Sequence, residues 1–296
     1  MNGLGNDPIW PHFQPLWTKL SGVAGSELAI AGGYGLFLKQ NWLTANPDVP
    51  VVVPITEWRD VVPRVTKDVD LVIGLDLIAN EEMQVTILQE MIDSGFPVTK
   101  DLDAQHWRFE KHLPENKTII IELLAPVPDD HNAQLTFDRK RVKLKSSPGD
   151  TGFDARKNPA AVGFERHPFH FELDGTRLAV VNPVTWSTMK LSAMRSQREQ
   201  SLKPEIPAEK RTLYQAQAAK HANDVCRIVA MITREERDAA EEVVAALAAE
   251  SVFEEASNIY RDDFATTGWG LQSVTTNWNA DGLQVIQSIL DTWYRR

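Results

Sequence analysis

Apolar residues recur along this chain with two periods, and the switches between them mark its elements. Residues 11–22 (Pro-His-Phe-Gln-Pro-Leu-Trp-Thr-Lys-Leu-Ser-Gly) predict a short helix ending at Gly22. Residues 27–31 (Glu-Leu-Ala-Ile-Ala) predict a short strand. A glycine turn, Gly32-Gly33-Tyr34-Gly35, then leads into an apolar run suited to a helix. Residues 42–54 are irregular and proline-bearing, with Val51-Val52-Val53 as a strand candidate. Leu71, Val72 and Ile73 predict a buried strand that begins near Asp68. Met83, Val85, Leu88, Met91 and Ile92 fall on helical spacing, predicting a helix over 80–94 closed by Gly95. A hairpin follows, with arms at 106–110 and 118–124. Alternation over 137–145 predicts another strand, 146–160 a Gly/Pro/Asp-rich mobile loop, and 178–181 a further strand after the aromatic run at 167–171.

The second part of the chain reads as helical. Residues 182–194 predict a helix with Pro183 in its first turn and Arg195 and Arg198 beyond it. A polar loop over 199–211 precedes a helix over 213–232. From Thr233 onward an acidic, alanine-rich stretch carries an apolar stripe (Val243, Val244, Leu247, Val252), and 281–294 reads as a terminal helix. The pattern predicts an α+β core over 1–181 and a helical C-terminal domain over 182–296.

Composition narrows the function. The 296 residues suffice for two domains or one elaborated domain. No stretch approaches a membrane span, and the start lacks the basic and apolar regions of a signal peptide. The single cysteine, Cys226, lies in an apolar helical pattern and reads as an inert core thiol of a reduced, cytoplasmic protein. No Cys or His spacing resembles a zinc site, and His167 and His170 read as structural. A net charge of −10 removes any broad electrostatic footprint for nucleic acid, so an RNA contact needs a local basic patch.

Candidate chemistry gathers around Arg64-Val-Thr-Lys-Asp-Val-Asp-Leu71. Strand side chains alternate, so Asp68 and Asp70 share one face at the strand's start. Two readings stand: a solvated acidic strand end, or a carboxylate pair that holds a hard divalent cation. Upstream, Gly32 and Gly33 open a helix whose first turn offers N–H groups to a phosphate. No Gly-Lys-Ser/Thr follows, so this is not a Walker A loop. Glu122 is a lone acid in an apolar strand. It either reaches solvent or pairs with an arginine, such as Arg108, or joins the Asp pair as a third carboxylate. Arg139, Arg141, Lys143 and Lys145 would share one strand face, as an edge guard or as a phosphate-facing strip for RNA.

Gly32-Gly33 followed by Arg64-Val-Thr-Lys-Asp-Val-Asp-Leu71 resembles the signature of the nucleotidyltransferase superfamily, and within it the AbiEii-type toxin branch. The resemblance covers roughly residues 25–232 in patches. It departs at the long 42–54 insertion, at Glu122 where the family usually has Asp, and at His221, which replaces an Asp. The resemblance implies a polymerase-beta-like mixed sheet with flanking helices. It implies Mg²⁺, with Mn²⁺ as a substitute, on Asp68, Asp70 and Glu122. Gly32, Gly33, Arg64 and Thr66 would serve the nucleotide. Lys190, in Lys-Leu-Ser-Ala, would face the triphosphate, and Asp224 would complete the active site. The implied activity moves a nucleotide from an NTP such as ATP to an acceptor. The leading acceptor is RNA, such as tRNA, with the chain as the toxin of a toxin–antitoxin pair and an antitoxin protein as partner. The alternatives are an antibiotic-type small-molecule nucleotidyltransferase and an inactive binding module of the same fold.

Overall fold

A computed structural model describes residues 4–63, 66–129, 131–145, 152–265 and 267–295. The chain divides into two compact units. One comprises Met1–Trp42 and Pro63–Val181, the other Leu43–Val62 and Asn182–Arg296. The first is built on a mixed sheet flanked by helices, the second is largely helical, and the whole is a mixed α and β protein.

In the first unit, helix α1 (Trp10–Ala24) precedes strand β1 (Leu28–Ile30) and helix α2 (Gly32–Ala45). Strand β2 (Asp68–Ile73) is followed by α3 (Leu75–Ala79) and α4 (Glu81–Asp93). Seven more strands complete the sheet among the described residues: β3 (Arg108–His112), β4 (Thr118–Ala125), β5 (Leu135–Phe137), β6 (Arg141–Leu144), β7 (Ala155–Lys157), β8 (Phe169–Leu173) and β9 (Thr176–Val180). Among the described residues the order is β5-β6-β7-β4-β2-β1-β9-β8, with β3 also on β4. β2 and β4 run parallel at the centre, where Val69, Leu71, Ile121 and Leu123 are buried. Such near-continuous burial is what parallel neighbours require. α1 brings Phe13, Leu16, Trp17 and Leu20 into the core and lies against β1, β9 and α4. Each such burial contributes roughly 1.5–3 kcal/mol.

Several predicted boundaries move, each for a physical reason. Gly22 sits inside α1, which runs on to Ala24. Gly25, at φ +56°, takes the left-handed position that ends the helix. There is no separate glycine loop before α2, because the helix starts at Gly32 itself. The Asn80 side chain accepts the Met83 N–H and starts α4, and Gly95 at φ +83° follows its end. The hairpin's first arm is Arg108–His112. Of the segment read as a mobile loop, 146–151 lies outside the described residues, while Ala155–Lys157 forms β7 between β4 and β6.

The predicted basic strand over 137–145 is a hairpin instead. β5 stops at Phe137, and the Asp138 carboxylate accepts the Lys140 and Arg141 N–H groups, turning the chain. Arg139 is in that turn. Arg141 and Lys143 are on β6, and Lys145 lies past its end with its ammonium on the Ala133 carbonyl. The four cations therefore do not form one strip.

The second unit carries α5 (Pro183–Leu202), α6 (Ala208–Ala230), α7 (Arg234–Leu247), α8 (Ser251–Asp263), α9 (Trp269–Val274) and α10 (Ala280–Tyr294). Asn182 caps α5 through the Thr185 N–H, with Pro183 in the first turn. α5 outruns its predicted end because Gln, Arg and Glu prolong a helix readily. α7 opens with a capping box between Thr233 and Glu236. Residues 43–62, which a division at 181/182 leaves in the first domain, belong here. The Val52 and Val53 N–H groups donate to the Ile232 and Ala230 carbonyls, and Val51 makes a single bridge to Thr233 in place of a full strand.

Candidate metal and phosphate site

In the first unit the site forms where β1, β2 and α2 meet. Ala31 donates its N–H to the Asp70 carbonyl at 2.9 Å, and the Gly35 N–H then reaches back to the Ala31 carbonyl at 3.0 Å. The chain thus leaves the sheet beside Asp70 and coils at once. Gly32 makes that possible with φ +64°, a conformation L side chains rarely adopt. A Cβ on Gly32 would fall inside the Asp70 carboxylate. The Asp70 charge therefore lies against the first turn of a 14-residue helix. That turn has N–H groups without intrahelical acceptors and a positive dipole end.

Asp68 is exposed and Asp70 half-buried on the same face of β2. The Thr66 hydroxyl donates to the Asp68 carboxylate and orients it. Thr66 and Lys67, just before β2, border a cavity of about 750 Å³ with Tyr34, Phe37, Ile119 and Ile120 among its walls. Tyr34 donates its O–H to Asp7 at 2.6 Å, while Asp7 accepts the Ile9 and Trp10 N–H groups and starts α1. Burial first, then the Asp7 charge, pushes the Tyr34 phenol far up, so it stays a donor. Arg64 lies outside the described residues.

Glu122 stands directly across from Asp70, as Cα partners on the parallel pair β2–β4, so both side chains leave the same sheet face. Its own bonds run the other way. Oε1 accepts from Arg108 Nε and Nη2 at 2.9 and 2.6 Å, and Oε2 from Arg156 Nη1 at 3.0 Å. Among the described residues no three His, Cys, Asp or Glu side chains converge to share one ion. The reason is electrostatic: a carboxylate buried to this degree is satisfied by the cations flanking it. Arg108 follows from the sequence as a partner; Arg156, on a strand far along the chain, gave no sequence signal.

What remains fits Mg²⁺. That ion takes one or two carboxylates and completes its shell with waters and substrate phosphates. Asp68 and Asp70 offer hard oxygens on one face, and the α2 first turn offers phosphate donors beside them.

The second unit has a constellation of its own. Lys190 on α5 and Asp224 on α6 form an ion pair at 3.0 Å, both almost wholly buried, with His221 Nδ1 at 3.8 Å from the same carboxylate. The sequence motifs around Lys190 and Asp224 are thus brought together in space. Arg227 on α6 pairs with Asp60 at 3.0 Å and lies over the Trp58 ring. Cys226 is buried, and burial alone pushes its thiol far up, as an inert core cysteine requires.

No protein-family model matches the chain, and no curated protein matches it. One solved structure, an antigenic nucleotidyltransferase-like protein from Paracoccidioides brasiliensis, aligns over 81% of this chain and 91% of its own. The identity is 13% and the TM-score 0.33. Among the described residues no helix is long and apolar enough to cross a membrane.

Proposed function

We propose that this chain is a metal-dependent nucleotidyltransferase. The observation that carries the reading is the Asp70 carboxylate seated in the space of a Gly32 side chain, with Asp68 on the same face. A carboxylate pair beside the first turn of a helix is an arrangement suited to a metal-bound triphosphate. Asp68 and Asp70 hold the ion, Thr66 fixes the Asp68 rotamer, and the Gly32–Gly33 turn of α2 binds phosphate oxygens. When bound, Mg²⁺ supplies charge neutralisation to the transferring phosphoryl group and the leaving pyrophosphate. No covalent nucleophile is required, because such transfers rest on positioning and charge stabilisation.

The resemblance to the AbiEii branch supports an RNA acceptor, such as tRNA, and a toxin role with an antitoxin partner. It also supports the assignment of Lys190 to the triphosphate and Asp224 to its support. Incubation of the purified protein with total RNA and each labelled NTP tests the reading. We expect Mg²⁺-dependent label transfer to RNA, abolished by Asp70→Ala in a folded protein. Transfer that survives Asp70→Ala overturns the reading.

A further inference from the structure

Two arginines are anchored beside the Asp pair, on its own sheet face. Arg108 is the Cα partner of Glu122 on the antiparallel β3, and Arg156 is the partner of Leu124 on β7, two positions along β4 from Glu122. Cα partners and alternate residues of a strand share a face. Asp68, Asp70, Glu122, Arg108 and Arg156 therefore all project to one side. β4 lies between β2 and β7, so Glu122 stands between the Asp pair and the Arg156 guanidinium that it holds.

The two arginines differ. Arg108 uses two N–H groups on Glu122 and also lies 3.6 Å from Asp101. Arg156 makes one bond to Glu122 Oε2, and its side chain is 56% exposed. A guanidinium carries five N–H donors in a rigid fork, which leaves Arg156 donors directed at solvent above the acidic face. An arginine free to swing loses rotamer entropy when it captures an anion; one already pinned at one nitrogen loses less.

We propose that Arg156, positioned by Glu122, binds a phosphate group of the ligand that the Asp68–Asp70 face engages, and that Glu122 is a positioning residue for that cation and not a metal ligand. The ligand chemistry is a phosphate oxyanion, bound bidentately beside the carboxylate pair. Two sources present it: the triphosphate of a nucleotide, or the phosphate of an RNA acceptor. What the phosphate belongs to rests on the nucleotidyltransferase reading; the anion site itself does not.

Three probes separate these ideas: Mn²⁺ alone, ATP with Mg²⁺, and a 5′-phosphorylated ten-nucleotide oligoribonucleotide without nucleotide. The variants are Arg156→Gln, which keeps a donor for Glu122 but removes the charge, Arg156→Lys, and Glu122→Gln. We expect Arg156→Gln to leave Mn²⁺ affinity within about twofold and to weaken one phosphate probe by about tenfold or more. The probe that weakens identifies the source, and Arg156→Lys should recover only part of the loss. Glu122→Gln should leave Mn²⁺ affinity unchanged. Equal binding of both phosphate probes by wild type and Arg156→Gln overturns the inference, and so does a tenfold loss of Mn²⁺ affinity in Glu122→Gln. If wild type binds a phosphate probe through Arg156 but takes no Mn²⁺, the metal reading fails and the anion site stands. If it binds Mn²⁺ but neither phosphate probe, the anion site fails and the metal reading stands.

Discussion

The Asp70 carboxylate fills the volume that any side chain on Gly32 would need. This single relationship ties the turn that starts α2 to the acid at the centre of the sheet, and it makes glycine a requirement at one position. Gly32→Ala must place a Cβ at φ +64° and push Asp70 aside. The left-handed conformation alone costs roughly 1–2 kcal/mol for an L residue. At about 2–4 °C per kcal/mol for a domain of this size, the melting temperature should fall by several degrees, and Mn²⁺ binding should weaken with it. Gly22 is the contrast. It lies inside α1 with nothing within 4 Å of a built Cβ, so Gly22→Ala should stabilise by roughly 0.5–1 kcal/mol. Thermal melts of the two variants check both signs, and a Gly32→Ala protein that melts with wild type refutes the packing argument.

Asp68 and Asp70 should contribute unequally to metal binding. Asp70 is half-buried against the dipole of α2, whereas Asp68 is exposed and steered by Thr66. Asp70→Asn should remove most Mn²⁺ affinity without a large change in melting temperature. Thr66→Val should weaken it only severalfold, by releasing the Asp68 rotamer. Titration of Mn²⁺ into each variant reads this directly, and equal losses for Asp70→Asn and Thr66→Val would show that the rotamer matters as much as the charge.

In the second unit, Lys190 and Asp224 form a nearly solvent-free pair between α5 and α6. Removing one partner of such a pair leaves an uncompensated buried charge, at a cost of about 3–5 kcal/mol. Replacing both by apolar residues of similar size is often close to neutral. Lys190→Met should therefore destabilise strongly, and Lys190→Met with Asp224→Leu should recover most of the loss. Urea unfolding followed by tryptophan fluorescence gives the three stabilities. A Lys190→Met protein as stable as wild type would remove the structural role and leave only a functional one.

The local elements of this protein were legible because they are written in local pattern. β2 and β4 are β-branched, apolar runs, β2 with Asp68 and Asp70 and β4 with Glu122, and the Asn80 and Asn182 caps precede clear helical periods. That the glycine turn and the Asp pair belong to one site came from the family resemblance and not from local pattern. What the sequence concealed is long-range. Glu122 reads equally as a metal ligand or as a partner of arginine until β7, more than thirty residues on, places Arg156 beside it. The basic strip failed because alternation of charge over 137–145 ignores Asp138, whose side chain caps a turn and breaks the strand. The return of residues 43–62 to the helical unit depends on backbone bonds to the end of α6, for which no side-chain pattern exists.

Glu27 supplies a prediction about pH. Its carboxyl is pushed above the ordinary range by burial first, and then by the negative charges of Asp76 and Glu165. Its side chain also lies against Gly74, where a Cβ would meet it. A carboxyl with a raised folded pKa binds its proton more tightly in the folded state than in the unfolded one. Its ionisation therefore opposes folding, and stability from this group rises as pH falls through the folded pKa. Above its folded pKa the Glu27 charge is unfavourable; as pH falls through that pKa the folded protein takes up the proton, and the penalty fades. Glu27→Gln, which keeps the shape and removes the charge, should raise the melting temperature at pH 7. Glu27 is only partly buried, so screening holds the gain to the order of 1 °C. The gain should shrink as pH falls towards 4. Thermal melts of both proteins across pH 4–8 check the sign: a Glu27→Gln variant that is less stable than wild type at pH 7 would mean that Glu27 has a cationic partner that outweighs Asp76 and Glu165.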